Sequence, residues 1–405
     1  MIDFILTALT FVVPFVLVLG LVVTIHELGH FLAAKSFGVA IDRFSIGFGK
    51  AIASWTDKSG VEWRVGWIPL GGYVKFSGDD NAASVPDSEN LANLRRDIEA
   101  EEGREAVLRY FHFKPLWQRA IVVAAGPFAN FALAIALFAA LLLAFGQYVL
   151  PPKIAAVQPG SPAERAGFLP GDLVLEAEGR PIKGFDELAQ LVQVRANVPT
   201  DFVVERAGRE IEIVATPEWA MRTDQVAGER RQGMLGLSPA QSKNDYIHVR
   251  YNPIQAVAGG VERTWRTLET TVYYLGRMVT GQVAADQLSG PLGIARISGK
   301  VAQAGAEGAP DVGSMILGGG VNLLQLAAFI SVSIGFMNLL PVPVLDGGHL
   351  LFYAYEAVAR RPVAAKVQAA GYRVGLALLL GLMLFATWND LQQMRVFKIL
   401  GGVFS

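Results

Sequence analysis

The chain has 405 residues, of which 52% are hydrophobic and 18% charged. That is less charge than the ~25% of soluble domains, and it implies a protein that is part membrane and part water-soluble. A net charge of −1 argues against a nucleic-acid partner, and the absence of cysteine excludes both a disulfide framework and a thiolate metal site.

Four segments reach the about 20 apolar residues that span a bilayer core. They predict an α-helical polytopic membrane protein with four transmembrane helices, a membrane-associated β-strand region and an inserted β-rich domain. The first helix lies within 1–37. From Phe4 to Ala34 its only ionisable side chains are His26, Glu27 and His30, and such groups inside a membrane-length segment mark a functional site by default. Asp3 stands where a signal peptide would carry a basic region, so the run is not expected to be one. On a helix, residues i and i+4 share a face, so His26 and His30 can hold one metal ion. Glu27 sits beside it as a general base for water, the H-E-x-x-H arrangement of zinc metalloproteases.

Residues 38–118 divide in two. Residues 41–76 alternate like strands, with a turn expected at Pro69 to Gly72 before Tyr73-Val74-Lys75-Phe76, whereas 79–105 read as a solvated helix or loop. His112 lacks neighbours with ligand spacing and reads as an interfacial anchor. The second helix falls within 119–148. Its Gly126-Pro127-Phe128-Ala129-Asn130 either kinks the helix with a packing hydrogen bond or turns Asn130 toward the metal pair.

From 152 to 240 the composition becomes that of a soluble β-rich domain. Strands are expected at 154–157 and 172–175, with two more between 201 and 215 around Ala207-Gly208. A short helix should start at Ser161-Pro162 and end at Gly167, and a second should run from Phe185 to Val194. Residues 241–320 form an amphipathic connector that includes Leu288-Ser-Gly-Pro291.

The third helix is expected within 321–359 and the fourth within 365–390, followed by a tail, 391–405. Two histidines leave a catalytic zinc site one protein ligand short. The third span ends in Asn338-Leu-Leu-Pro-Val-Pro-Val-Leu-Asp346-Gly-Gly-His349. By chemistry alone either Asp346 or His349 could complete the site, and Asp346 could instead cap the following helix. Lys35, Arg109, Lys114 and Arg119 flank the first loop, and Arg360, Arg361, Lys366 and Arg373 crowd the last. The positive-inside rule then puts both loops in the cytoplasm, with both termini and the β-rich domain outside. His26 to His30 lie ~8–14 Å before Lys35 at 1.5 Å per residue, within the membrane and at the same depth as Asp346.

Taken together, His26-Glu-Leu-Gly-His30, Gly71-Gly72-Tyr73, Gly126-Pro127 with Asn130, Leu288 to Pro291 and Asn338 to Gly348 resemble the bacterial site-2 proteases, intramembrane zinc metalloproteases of the inner membrane. Gly160-Ser-Pro-Ala-Glu-Arg-Ala-Gly167, Pro170-Gly-Asp172 and Glu178-Gly179 resemble a permuted PDZ domain. The resemblance implies that His26, His30 and Asp346 bind one Zn2+, that Glu27 activates water and that Asn338 contacts substrate backbone. It also implies that Gly71, Gly72, Tyr73 and Val74 pair with an extended substrate. Gly233-Met234-Leu235-Gly236-Leu237 could form a PDZ nest for a peptide carboxylate. Implied substrates are single-pass membrane proteins such as anti-sigma factors or remnant signal peptides, first cut by an upstream site-1 protease. Family members with two tandem PDZ domains differ from this chain, which has length for one. The alternative is a PDZ membrane scaffold with a non-catalytic metal site, against which the presence of Glu27 counts.

Overall fold

The computed structural model describes residues 2–78, 88–224, 228–239, 245–281, 289–307, 309 and 311–393. Contacts divide the chain into two units: Met1–Phe138 with Gly260–Leu268 and Leu288–Ser405, and Ala139–Gly259 with Glu269–Gln287.

The first unit starts with helix α1 (Ile2–Ser36), followed by strands β1 (Ile41–Thr56) and β2 (Glu62–Phe76), helix α2 (Ser88–Glu101) and the long helix α3 (Leu116–Phe145). The turn between β1 and β2 is at Asp57 to Gly60, not at Pro69 to Gly72. The Asp57 carboxylate accepts from the Ser59 and Val61 backbone N–H groups and from Trp63 Nε1, and Gly60 takes a left-handed φ of 86°. That Asx-type chemistry closes the hairpin, while β2 runs on through Pro69 to Gly72. Part of the charged segment, 79–87, lies outside the described residues.

Both strands bend, and their register sets four segments side by side. Residues 72–76 lie against 41–46, for instance Phe44 with Val74. Residues 43–46 lie against 62–65, for instance Phe44 with Trp63, and 62–66 against 51–56. Segment 72–76 is therefore an edge: among the described residues no strand pairs with its outer side. Phe31 of α1 packs with Phe44 and Val61, and their rings and Trp63 dock this sheet on α1.

The second unit carries β3 (Gln147–Val149), β4 (Ile154–Val157), α4 (Pro162–Ala166), β5 (Leu173–Ala177), β6 (Arg180–Pro181), α5 (Phe185–Val194), β7 (Thr200–Arg206) and β8 (Arg209–Ala215). These continue into β9 (Glu218–Asp224), β10 (Gly228–Met234), β11 (Leu237–Pro239) and β12 (Ile247–Val249). A sheet of order β6-β5-β7-β8 and the pair β11-β4 close on a core that includes Ile154, Phe168, Val174, Leu188, Phe202 and Leu235. Local signals placed the helices well: Ser161 Oγ accepts from Glu164 N–H, and Gly167 ends α4 at φ 90°. Of the stretch suggested as a carboxylate nest, Gly233 packs on Ala196, Leu235 is in the core, and Gly236 has φ 83° with its carbonyl bonded to Gln158 N–H.

The connector resolves into α6 (Pro253–Val279), opened by an Asn252–Gln255 capping box, and α7 (Pro291–Ala306). The next helix, α8 (Val312–Asn338), starts ahead of the expected span because Asp311 caps it through Ser314 N–H. It stops at Asn338. A turn over 339–345 separates it from α9 (Asp346–Ala359), and α10 (Ala365–Gln393) follows. Among the described residues, four helices are long and apolar enough to cross a membrane: Leu9–Ser36, Leu116–Phe145, Val312–Asn338 and Ala365–Gln392.

Candidate metal centre

Three donor atoms from α1 and the start of α9 converge. His26 Nε2 is 3.2 Å from His30 Nε2, and Asp346 Oδ2 is 3.2 Å from the first and 3.5 Å from the second. Atoms bonded to one tetrahedral zinc at 2.0–2.1 Å stand ~3.3–3.4 Å apart, so this triangle fits three faces-sharing ligands of one ion. Asp346 Oδ2 is buried with no hydrogen bond reaching it, and a cation would satisfy it. Among the described residues this is the one group of three His, Cys, Asp or Glu side chains with such spacing. Of the two candidates for third ligand, Asp346 reaches the pair. His349 turns away, and Tyr372 Oη lies 2.8 Å from its Nε2.

Close helix packing makes this convergence possible. A Cβ on Gly29 would stand 2.7 Å from Ala129 Cβ, and one on Gly126 would stand 2.5 Å from His30 Cε1 and 2.9 Å from His26 Cε1. Real Cβ contacts almost never fall below 3.0 Å. Gly126 is therefore the cradle on which both imidazoles lie, and Gly29 lets α1 sit directly against α3. Gly347 and Gly348 tuck against the backbone of Leu339, Leu340 and Val342, which sets Asp346 at the first turn of α9. Tyr372, Gly29, Gly347 and Gly348 were missed by spacing arguments. The glycine requirement becomes visible only once the neighbouring helix is in place.

Two further polar groups fix the rings. His30 Nδ1 lies 2.9 Å from the Val122 carbonyl, an acceptor, so Nδ1 carries the proton and Nε2 keeps its lone pair for a metal. Asn130, fully buried in α3, lies 3.2 Å from His26 Nδ1 through its Nδ2, and its carbonyl accepts from Ser331 of α8. Asn130 therefore lies beside the metal pair and makes a packing bond as well. Pro127, beside it, stays inside an unbroken α3 and presents its carbonyl toward Gly335. Asn338 reaches the site from the last residue of α8, its Nδ2 3.4 Å from His26 Nε2.

Glu27 lies on the side of the site covered by β2. A Cβ on Gly72 would come 2.8 Å from Glu27 Cγ, and the Val74 backbone N–H faces the Glu27 carboxylate. Gly71, Gly72, Tyr73 and Val74 thus run past the acid as the edge segment of the sheet. Tyr73 stacks on Phe48 and its hydroxyl lies 3.3 Å from Arg43.

Comparison with known proteins agrees with this centre. A peptidase family M50 profile matches residues 14–382. The metalloprotease MmpA of Caulobacter vibrioides is 50% identical, with 98% of this chain and 99% of that protein aligned. Proteins carrying a zinc metalloprotease name in Agrobacterium fabrum and Rhizobium meliloti are 41% and 40% identical, over 95% and 96% of this chain and 96% and 98% of theirs. A zinc-type donor triad with two of its members inside an apolar helix, a glutamate beside it and a family match across the chain lead to one conclusion: this membrane protein is a zinc metalloprotease and belongs to peptidase family M50, the site-2 proteases.

Proposed function

We propose that this protease cleaves peptide bonds within or beside the transmembrane segments of single-pass membrane proteins. The observation that carries the reading is the position of His26, Glu27 and His30 inside the apolar span Leu9–Ser36. His26, His30 and Asp346 hold the ion. Zinc bound there supplies Lewis acidity, polarising the scissile carbonyl and acidifying water. Glu27 takes a proton from the attacking water and returns it to the leaving amine as the C–N bond breaks. Asn338, at the rim beside His26, donates to the substrate backbone.

A helical substrate hides its scissile amide in its own hydrogen bonds, so it must be unwound before attack. Segment 71–76 supports a way to hold it extended. Among the described residues no strand pairs with its outer edge, which runs alongside Glu27, and a substrate strand would add there. The glycines matter because a side chain at 72 would crowd Glu27 and one at 71 would run into the Phe48 ring.

The second unit's helix caps and strand order support a single PDZ domain, and the basic residues Lys35, Lys114, Arg119, Arg360 and Arg361 beside the first and last loops support a bacterial inner-membrane protein with that domain and both chain termini outside. Its stretch Gly233 to Leu237 would take a peptide carboxylate. In that position the domain would bar substrates whose outer domain has not been removed, so the enzyme would act after a site-1 protease on anti-sigma factors or remnant signal peptides. The test is Glu27→Gln against wild type in proteoliposomes with a single-pass substrate. Cleavage by wild type alone is expected, and equal cleavage by both would end the proposal.

A further inference from the structure

Helix α3 presents one stripe, residues 122, 126 and 130, to the two metal-binding imidazoles. Val122 gives a carbonyl to His30 Nδ1, Gly126 gives the room, and Asn130 gives its amide to His26 Nδ1. From α3 the two histidines thus receive matching contacts with one difference: the partner of His30 is an acceptor by nature, whereas a carboxamide can present either end.

In the orientation drawn, Asn130 Nδ2 faces His26 Nδ1. A donor there makes Nδ1 the acceptor and puts the ring proton on Nε2, the atom aimed at Asp346 Oδ2 and His30 Nε2. A protonated Nε2 has no lone pair for a metal. Meanwhile Asn130 Oδ1 is buried and meets no donor, so that orientation makes one hydrogen bond and strands an acceptor. The two ends of a carboxamide are nearly indistinguishable by shape. Turned over, Asn130 places Oδ1 on His26 Nδ1, accepts its proton and frees Nε2.

We infer that Asn130 is the positioning residue that fixes the metal-binding tautomer of His26, doing with a side-chain oxygen what the Val122 carbonyl does for His30. This rests on the reading of His26, His30 and Asp346 as the metal ligands. Asn130 does not touch substrate. Its effect passes through the donor strength and orientation of His26, and partners of this kind set metal affinity by about 10- to 100-fold.

The test is the zinc dissociation constant of full-length protein in detergent, measured by chelator competition. Asn130→Leu keeps the branching at Cγ but offers no acceptor, and should weaken zinc binding by about 10- to 100-fold. Asn130→Asp also accepts from Nδ1–H and should stay close to wild type. Ser331→Ala removes the hydroxyl bonded to the Asn130 carbonyl, 2.8 Å away, and so loosens the α3–α8 packing without touching the amide; its zinc affinity should be unchanged. Wild-type affinity in Asn130→Leu overturns the inference. So does an equal loss in the Leu and Asp variants, or a loss in Ser331→Ala as large as in Asn130→Leu. Should Asn130→Leu fail to fold, Asn130→Ala replaces it in the same comparison. Failure of the metal reading itself would look different: His26→Ala would bind zinc as tightly as wild type.

Discussion

Gly126→Ala isolates the role of helix packing in the metal centre. The added methyl would sit 2.5 Å from His30 Cε1 and 2.9 Å from His26 Cε1, so it falls ~1 Å short of the 3.5–4.0 Å optimum between carbons. Metal sites tolerate about 0.2 Å in ligand distance, so the imidazoles cannot give that room and keep their places. The alternative, moving α3 away, also withdraws the Val122 carbonyl and the Asn130 amide. Overpacking of this size costs about 1–3 kcal/mol, which at ~1.4 kcal/mol per decade is a 5- to 150-fold loss in zinc affinity. In the zinc-free protein no ion ties the rings, so they can yield at the cost of their bonds to Val122 and Asn130, and alanine's helix propensity returns up to about 1 kcal/mol. The expected pattern is therefore a weakened zinc affinity by chelator competition with little change in the melting of zinc-free protein. Gly20→Ala is the control: it lies in α1, the helix that carries both histidines, with nothing within 4 Å of its added Cβ, and zinc affinity should not move. Gly126→Ala binding zinc like wild type would refute the cradle.

Three other outcomes follow from particular contacts. Asp346→Ala should lose zinc, whereas His349→Ala should retain it and Tyr372→Phe should cost only ~1 kcal/mol of stability for the hydrogen bond to His349; zinc content by elemental analysis reports the first two, and full occupancy in Asp346→Ala would break the ligand assignment. In the second unit the buried Asp172 carboxylate is raised by burial, but two bonds of 2.7 Å from Arg206 and one from Leu169 N–H outweigh this and hold it below the usual carboxylate range. A depressed folded pKa gives stability that is full above the unfolded value of ~3.9 and is lost as pH falls through the folded one; melting followed from pH 6 downward should show this acid loss reduced in Asp172→Asn, and identical slopes would contradict it. Asp390, buried near the end of α10, accepts from Gly293 N–H in the first turn of α7 at 2.8 Å. Removing that partner in Asp390→Ala should destabilise α7 by ~0.5–2 kcal/mol, read as faster hydrogen exchange in 291–306 with exchange in α3 unchanged.

The sequence made some features plain and concealed others for physical reasons. Charged groups in an apolar run have one economical explanation, so His26, Glu27 and His30 were visible at once. The helix caps Ser161 and Gly167 and the alternation over 201–215 are local signals, and α4, β7 and β8 lie where those signals put them. The choice of Asp346 over His349 needed three dimensions, because both can share a helix face at i, i+3. The hairpin turn was misplaced: Pro69-Leu70-Gly71-Gly72 reads as a turn, but its glycines serve the approach to Glu27 and Phe48, while Asp57-Lys58-Ser59-Gly60 turns the chain. The start of α8 was set too late because small residues such as Gly318 and Gly319 depress local hydropathy, yet they let α8 meet α7 at Gly305 and Ala302. Asn130 stood between two readings since a buried amide serves packing or a ligand equally well until its neighbour is known.

The central claim is that the peptide bond is cut at the depth of the membrane. Its most direct measurement is mass-spectrometric mapping of the products from a single-pass substrate co-reconstituted with wild-type protein in liposomes. New termini are expected inside the substrate's apolar segment or at its cytoplasmic edge, and none with Glu27→Gln. Termini confined to the substrate's soluble domains, well outside the apolar segment, would contradict it.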